Sequence, residues 1–126
     1  MKNYHEMSDH EINKEVLKII KEDLLKDGWR IVNYSHSPDK RSAGIYKKSI
    51  DVYSWYDFVG DIESAWTIML ENKISLLWDE TNSMCMATVA SMFDLQTCRR
   101  DGASHTNPLR AAMIVFLMIK EKEKTK

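Results

Sequence analysis

The sequence predicts an α+β fold: a single mixed or antiparallel sheet with helices packed on it, in the order α-β-β-α-β-β-α. Three observations carry this. Three segments repeat apolar residues at helical spacing behind recognisable capping residues. Between them lie short segments rich in β-branched and aromatic residues. Each helix carries an apolar stripe that only a second layer can cover. With 126 residues, 44% of them hydrophobic and 29% charged, residues 1–126 are expected to form one globular domain.

The first helix opens on Ser8 and Glu11 (S-D-H-E), which form a capping box. Ile12, Val16, Ile19, Ile20 and Leu24 follow at helical spacing, and Asp27-Gly28 stops the run, predicting a helix from about Asp9 to Lys26. Trp29 to Tyr34 alternates weakly and reads as a short strand. Residues 35–49 contain Pro38, Gly44 and four cations (Lys40, Arg41, Lys47, Lys48), and predict an exposed basic loop. Ile50 to Val59 reads as a strand with Ile50, Val52, Tyr56 and Phe58 on one face and Asp51, Tyr53, Trp55 and Asp57 on the other.

Asp61 is a good N-cap for a helix through about Glu71, with Ile62, Ala65, Trp66 and Met69 on its apolar face and Asn72 as its left-handed C-cap. Phe58 and Trp66 are expected in the core. Ile74 to Asp79 and Met84 to Phe93 predict a hairpin, and Gln96 to Thr106 an irregular polar stretch. Asn107-Pro108 opens the last helix, in which Arg110 is the only charge from Leu109 to Ile119. A helix apolar all round is buried on several sides, while residues 120–126 (KEKEKTK) read as a solvated tail.

Composition excludes several classes. Eighteen Lys and Arg against nineteen Asp and Glu leave a net charge of −1, which argues against a general nucleic-acid binder. The longest apolar run, Ala111 to Ile119, is nine residues, against roughly 20 for a membrane span. The first residues lack the apolar core of a secretory signal. Cys85 and Cys98 are too few for a disulfide framework, and neither they nor the four histidines show metal-ligand spacing. No Walker loop or dinucleotide fingerprint is present, and no cofactor is expected.

The strings MSDHEINK (Met7–Lys14), YDF (Tyr56–Phe58), SAWTIMLENKISL (Ser64–Leu76) and NPLRAAMIVFL (Asn107–Leu117) occur in order across both ends and the centre of the chain. Together they resemble the NinX family of lambdoid bacteriophages. An aspartate followed by Ala-Trp and then a PLRAA helix also looks like a wider group of phage α-β-α sandwich domains. The resemblance implies a phage origin, a location in the host cytoplasm and an accessory role; it implies no reaction.

Arg110 stands in the first turn of the last helix, where backbone N–H groups and the helix dipole favour an anion. Ser104, His105 and Asn107 precede it and add donors. The competing expectation is an internal ion pair from Arg110 to Asp57, Asp61 or Glu63. Tyr53, Trp55 and Trp78 offer rings on which a purine can stack, and Asp57 an acceptor for a ribose hydroxyl or base amine. The basic segment with Tyr46 inside it suits nucleic acid or an anionic ligand, and equally a solvated loop. Cys98 with His105, or paired carboxylates among Asp51, Asp57, Asp61 and Glu63, would suit a small hydrolase, but nothing orients a base.

The expectation is therefore a non-enzymatic binding protein. It would sequester a small anionic, nucleotide-derived signal, such as a cyclic nucleotide or ADP-ribose derivative, in an anti-defence role. Its ligand residues would be Arg110, Asn107, His105, Trp55, Asp57, Tyr53 and Trp78, and self-association is compatible with such a pocket. The alternatives are a protein or nucleic-acid interaction factor in phage replication or recombination, and a small hydrolase.

Overall fold

A computed structural model describes residues 3–32, 39–79, 83–89, 93–94, 99–100 and 102–124. The chain divides into two compact units, Met1–Phe58 and Val59–Lys126. The α+β class is as expected, but the strands form two three-stranded antiparallel sheets and a two-stranded ladder in place of one sheet.

In the first unit a short 3-10 turn, Tyr4–Glu6, precedes α1 (Asp9–Ile20). Both halves of the expected capping box form: Ser8 Oγ accepts from Glu11 N at 3.1 Å, and Glu11 Oε1 accepts from Ser8 N at 3.3 Å. The helix predicted to reach Lys26 breaks at Lys21, and α2 (Glu22–Lys26) continues it. Burial accounts for the break: α1 buries Ile12, Asn13, Val16 and Leu17, whereas α2 buries no residue and leaves its turn free to re-aim. Gly28, at φ +89°, then takes the left-handed step expected of it.

β1 (Trp29–Ile31), β2 (Ala43–Lys47) and β3 (Val52–Tyr56) form the first sheet in that order. β2 lies where a basic loop was expected. Ala43 and Ile45 alternate with Gly44 and Tyr46, and α1 packs on β2, whose Ala43 and Ile45 are buried. The turn from Lys48 to Asp51 joins β2 to β3, with Asp51 left-handed at φ 51°. Residues 33–38, including Pro38 and part of the predicted first strand, lie outside the described residues.

In the second unit Asp61 caps α3 (Ile62–Asn72), accepting from Glu63 N at 3.2 Å and from Ser64 Oγ at 2.8 Å. The left-handed C-cap is Lys73, not Asn72, whose side chain instead donates to Ile68 O. Ala65, Ile68 and Met69 are buried, while Trp66 is 51% exposed, correcting its expected place in the core. Ile62, Trp66 and Leu70 instead make an exposed apolar row at i, i+4 and i+8.

β4 (Ser75–Asp79) and β5 (Met84–Thr88) pair as the predicted hairpin, and β8 (Ala103–His105) adds a third strand beside β5. β6 (Phe93–Asp94) and β7 (Arg99–Arg100) pair separately. β8 falls in the stretch expected to be irregular. Its signal is only three residues long, and Gly102 is needed because a Cβ there would collide with the Ala87 carbonyl. Two of the strands missed in sequence, β2 and β8, complete a three-stranded sheet in each unit.

α4 (Pro108–Lys124) packs on β5, β8, β4 and α3, and Ala111 through Leu117 are all buried, as their apolar run required. Burying each of its large side chains contributes roughly 1.5–3 kcal/mol. The expected solvated tail is largely helix: α4 runs through Lys124, and the Lys120 ammonium sits 5.6 Å from the Phe116 ring centroid.

Candidate functional site: an aromatic sheet face

The register of the first sheet sorts its side chains into two faces. Ile31, Ile45 and Ser54 stand opposite one another and face the helices; Arg30, Tyr46 and Tyr53 stand opposite one another on the other face. One residue along, Trp55 lies opposite Gly44, and Val32 N donates to Gly44 O. The outer face is thus a small grid, with Arg30, Tyr46 and Tyr53 in one row and Val32, Gly44 and Trp55 in the next.

The rings on this face are ordered against each other. Tyr46 and Tyr53 stack with centroids 4.5 Å apart, and Tyr53 and Trp55 lie parallel, 2° between planes, at 5.9 Å. Trp55 fills the space over Gly44 that any other residue's Cβ would occupy. Tyr46 Oη donates to Asp51 Oδ1 at 2.8 Å, which pins the first phenol to the turn. This hydrogen bond, followed by desolvation and the Asp51 charge, raises the Tyr46 pKa above the ordinary tyrosine value. Tyr53 is 46% exposed, and Arg30 is exposed at the other end of the same row, beyond Tyr46.

Of the expected ligand residues, Tyr53 and Trp55 come together here. Asp57 does not join them, because β3 ends at Tyr56 and the chain turns the carboxylate toward α1. Its Oδ2 accepts from Arg41 Nε at 2.7 Å and pairs with the same guanidinium at 2.6 Å, while Oδ1 accepts from Asn13 Nδ2 at 3.0 Å. Asn13 also donates to Arg41 O and accepts from Phe58 N. Asp57 and Arg41 thus tie the 39–42 turn to α1, and Asp39 closes that turn by accepting from Arg41 N and Ser42 N. The expected basic patch is broken up in the same way: Arg41 pairs with Asp57, and Lys47 with Asp27 at 3.5 Å.

Trp78, His105, Asn107 and Arg110 belong to the second unit. Asn107 is the N-cap of α4 as expected: its Oδ1 accepts from Leu109 N at 3.0 Å and from Arg110 N at 3.4 Å. Its Nδ2 donates to Val59 O at 2.8 Å. Asn107 N donates to His105 Nδ1 at 2.9 Å, which places the proton of a neutral imidazole on Nε2. The first-turn amides counted on for an anion are therefore largely engaged by the chain itself. Arg110 is buried in that first turn. Trp78, 66% exposed, borders an open groove of about 280 Å³ with Leu77, Met84, Met86 and Ser104.

Catalytic features are sparse. Cys85 is buried, and that burial pushes its thiol pKa up, opposite to what a nucleophile needs. Cys98 lies outside the described residues. Among the described residues no three His, Cys, Asp or Glu side chains are grouped to hold a metal, and no helix is long and apolar enough to cross a membrane.

Sequence reasoning missed Arg30, Gly44 and Tyr46 as members of this face. The alternation A-G-I-Y-K over residues 43–47 was the available signal, masked by the surrounding cations.

Fold and face together define a small α+β protein built of two helix-backed sheets, one of which presents a row of stacked rings. The chain matches the family model described as "Bacteriophage P22, NinX" over residues 3–120 and belongs to that family. No curated protein and no solved structure matches it significantly.

Proposed function

We propose that this NinX-family protein is a non-enzymatic phage accessory protein that binds and sequesters a small nucleotide-derived molecule in the host cytoplasm. The parallel Tyr53–Trp55 pair on an accessible sheet face carries this reading. A nucleobase stacked on an aromatic side chain gains about 1–3 kcal/mol whatever its hydrogen-bonding edge. Capture by stacking and anion pairing requires no chemistry. The net charge of −1 favours a small ligand over a long polyanion. In an early phage protein such capture would suit an anti-defence role against a cyclic nucleotide or ADP-ribose signal.

Depletion and release tests this. The pure protein is incubated with a pool of nucleotides and cyclic or ADP-ribose-derived compounds, removed by filtration, and heat-denatured. A species missing from the filtrate and recovered intact after heating supports sequestration. A species converted to product makes the protein an enzyme, and an unchanged pool overturns the small-ligand reading.

The exposed row Ile62, Trp66 and Leu70 on α3 favours a second reading, a protein-interaction factor in phage replication or recombination. Under it, the nucleotide pool is left unchanged, and Trp66→Ser abolishes association with the protein partner without unfolding the chain.

A further inference from the structure

We infer that Arg30 is the phosphate-binding residue of the ring face, and that the ligand unit this face takes is a nucleoside monophosphate, base on the rings and phosphate at the β1 edge. The inference rests on the nucleotide reading of the face and adds to it the anion partner and the ligand's orientation. Sequence reasoning had placed the anion at Arg110 instead.

The geometry carries it. Arg30, Tyr46 and Tyr53 are directly opposed on three adjacent strands, so their side chains leave the same face in one row. Neighbours opposed in this way have Cα atoms about 4.5–5.5 Å apart, so Arg30 stands one strand from Tyr46 and two strands, about 10 Å, from Tyr53, a span that a nucleotide bridges from base to phosphate. Arg30 is exposed and has no ion pair among the described residues. On the strands of this sheet the other cation, Lys47, is held by Asp27, and Arg41 in the preceding turn by Asp57; Lys40 and Lys48 lie in the turns, off the row of rings. Arg30 is thus the cation that strand register sets in the same row as the rings.

A guanidinium offers a planar fork of donors that matches two phosphate oxygens at once, and its own flat face tolerates an aromatic neighbour. A base lying on Tyr53 and Trp55 has its sugar and phosphate reach back along the row toward Arg30. The rings also limit what else fits. Their 5.9 Å spacing exceeds the roughly 3.4 Å rise of a stacked strand, so two successive bases reach both rings only after unstacking from each other, a cost that a single base does not bear. One base across the pair and one phosphate at Arg30 fill the grid.

Binding of AMP and of adenosine is measured by calorimetry for the wild-type protein and for Arg30→Gln, Arg30→Lys and Tyr53→Ala. Both positions are exposed, and far-UV circular dichroism verifies folding. The wild type is expected to prefer AMP over adenosine by about tenfold or more, as a charge-assisted contact of about 1.4 kcal/mol requires. Arg30→Gln should bring that preference to near unity by weakening AMP alone, and Arg30→Lys should restore part of it. Tyr53→Ala should weaken both ligands. An AMP preference that survives Arg30→Gln overturns the assignment of Arg30 and leaves the ring face standing. Tyr53→Ala with both affinities unchanged overturns the ring face itself. A wild-type protein that binds neither probe overturns the nucleoside monophosphate as the ligand unit, while the depletion experiment separately decides whether any nucleotide is captured.

Discussion

The six-membered ring of Trp55 lies against Gly44 on the neighbouring strand, so closely that a Cβ at position 44 would stand 2.5 Å from Cε3 and 2.7 Å from Cζ3. A glycine in a strand interior weakens it, and an aromatic ring laid across it restores the missing cover. Gly44→Ala should push the indole off the sheet and break its parallel alignment with Tyr53, costing about 1–3 kcal/mol. Urea unfolding with near-UV circular dichroism measures both effects. Wild-type stability with an unchanged aromatic spectrum would show that the ring does not depend on the glycine.

Asn13 is fully buried, and its side chain donates to Arg41 O and Asp57 Oδ1 and accepts from Phe58 N. Removing it strands the buried Phe58 amide without a partner, worth about 1–3 kcal/mol, and also takes the donor from Arg41 O and Asp57 Oδ1. Asn13→Ala is therefore expected to destabilise the protein by about 3 kcal/mol. Asn13→Asp retains the bond from Phe58 N but sets a second carboxylate against Asp57, and should also destabilise. A midpoint shift in urea within error of wild type for either variant would contradict this account of the network.

Asn107 joins the start of α4 to Val59 through its two side-chain ends. Asn107→Ala loses both, with an expected cost of about 1–2 kcal/mol. Asn107→Asp keeps the capping oxygen and loses only the donor to Val59, so its loss should be the smaller. Thermal melts of the two variants rank them, and equal losses would mean the cap contributes nothing.

Tyr46 ionises above the ordinary tyrosine value because its hydroxyl is held by Asp51. A group whose folded pKa is raised contributes stability that is present below the ordinary value, about 10, and lost as pH rises through the raised one. Spectroscopic titration of phenolate should show a late-ionising component that Tyr46→Phe removes. Asp51→Asn should lower it, since the charge is gone while asparagine still tolerates the left-handed backbone at position 51. Unchanged titration curves in both variants would refute the pairing.

Cys85 is buried between β4 and β8, and its raised pKa leaves little thiolate near neutral pH. Its peptide should remain unlabelled by a thiol reagent in the native protein and become labelled once urea unfolds it. Mass mapping of that peptide reads the result directly, and rapid native labelling would mean that this sheet opens locally.

Much of the local structure was legible in the sequence, and for one reason: the signals act over a few residues. The Ser8–Glu11 box, the Asp61 and Asn107 caps, the left-handed Gly28 and the buried run Ala111–Leu117 depend on neighbours along the chain, which fix dihedral angles and helical faces. The division of β3 into a Tyr53–Trp55 face and a Val52–Tyr56 face follows from the same two-residue period. What only the tertiary structure decided involves partners far apart in sequence. β2 reads as a loop until β1 and β3 lie on either side of it, and β8 is too short to be a strand without β5. Trp66 has a core-like helical phase, but packing buried Ile68 and left the indole outside. Asp57 has the phase of the ring face, but Arg41 and Asn13 hold it elsewhere. Arg30 was one cation among eighteen Lys and Arg until strand register set it in line with Tyr46 and Tyr53. Local periodicity says which way a side chain leaves its own strand; only the pairing of strands says what stands beside it.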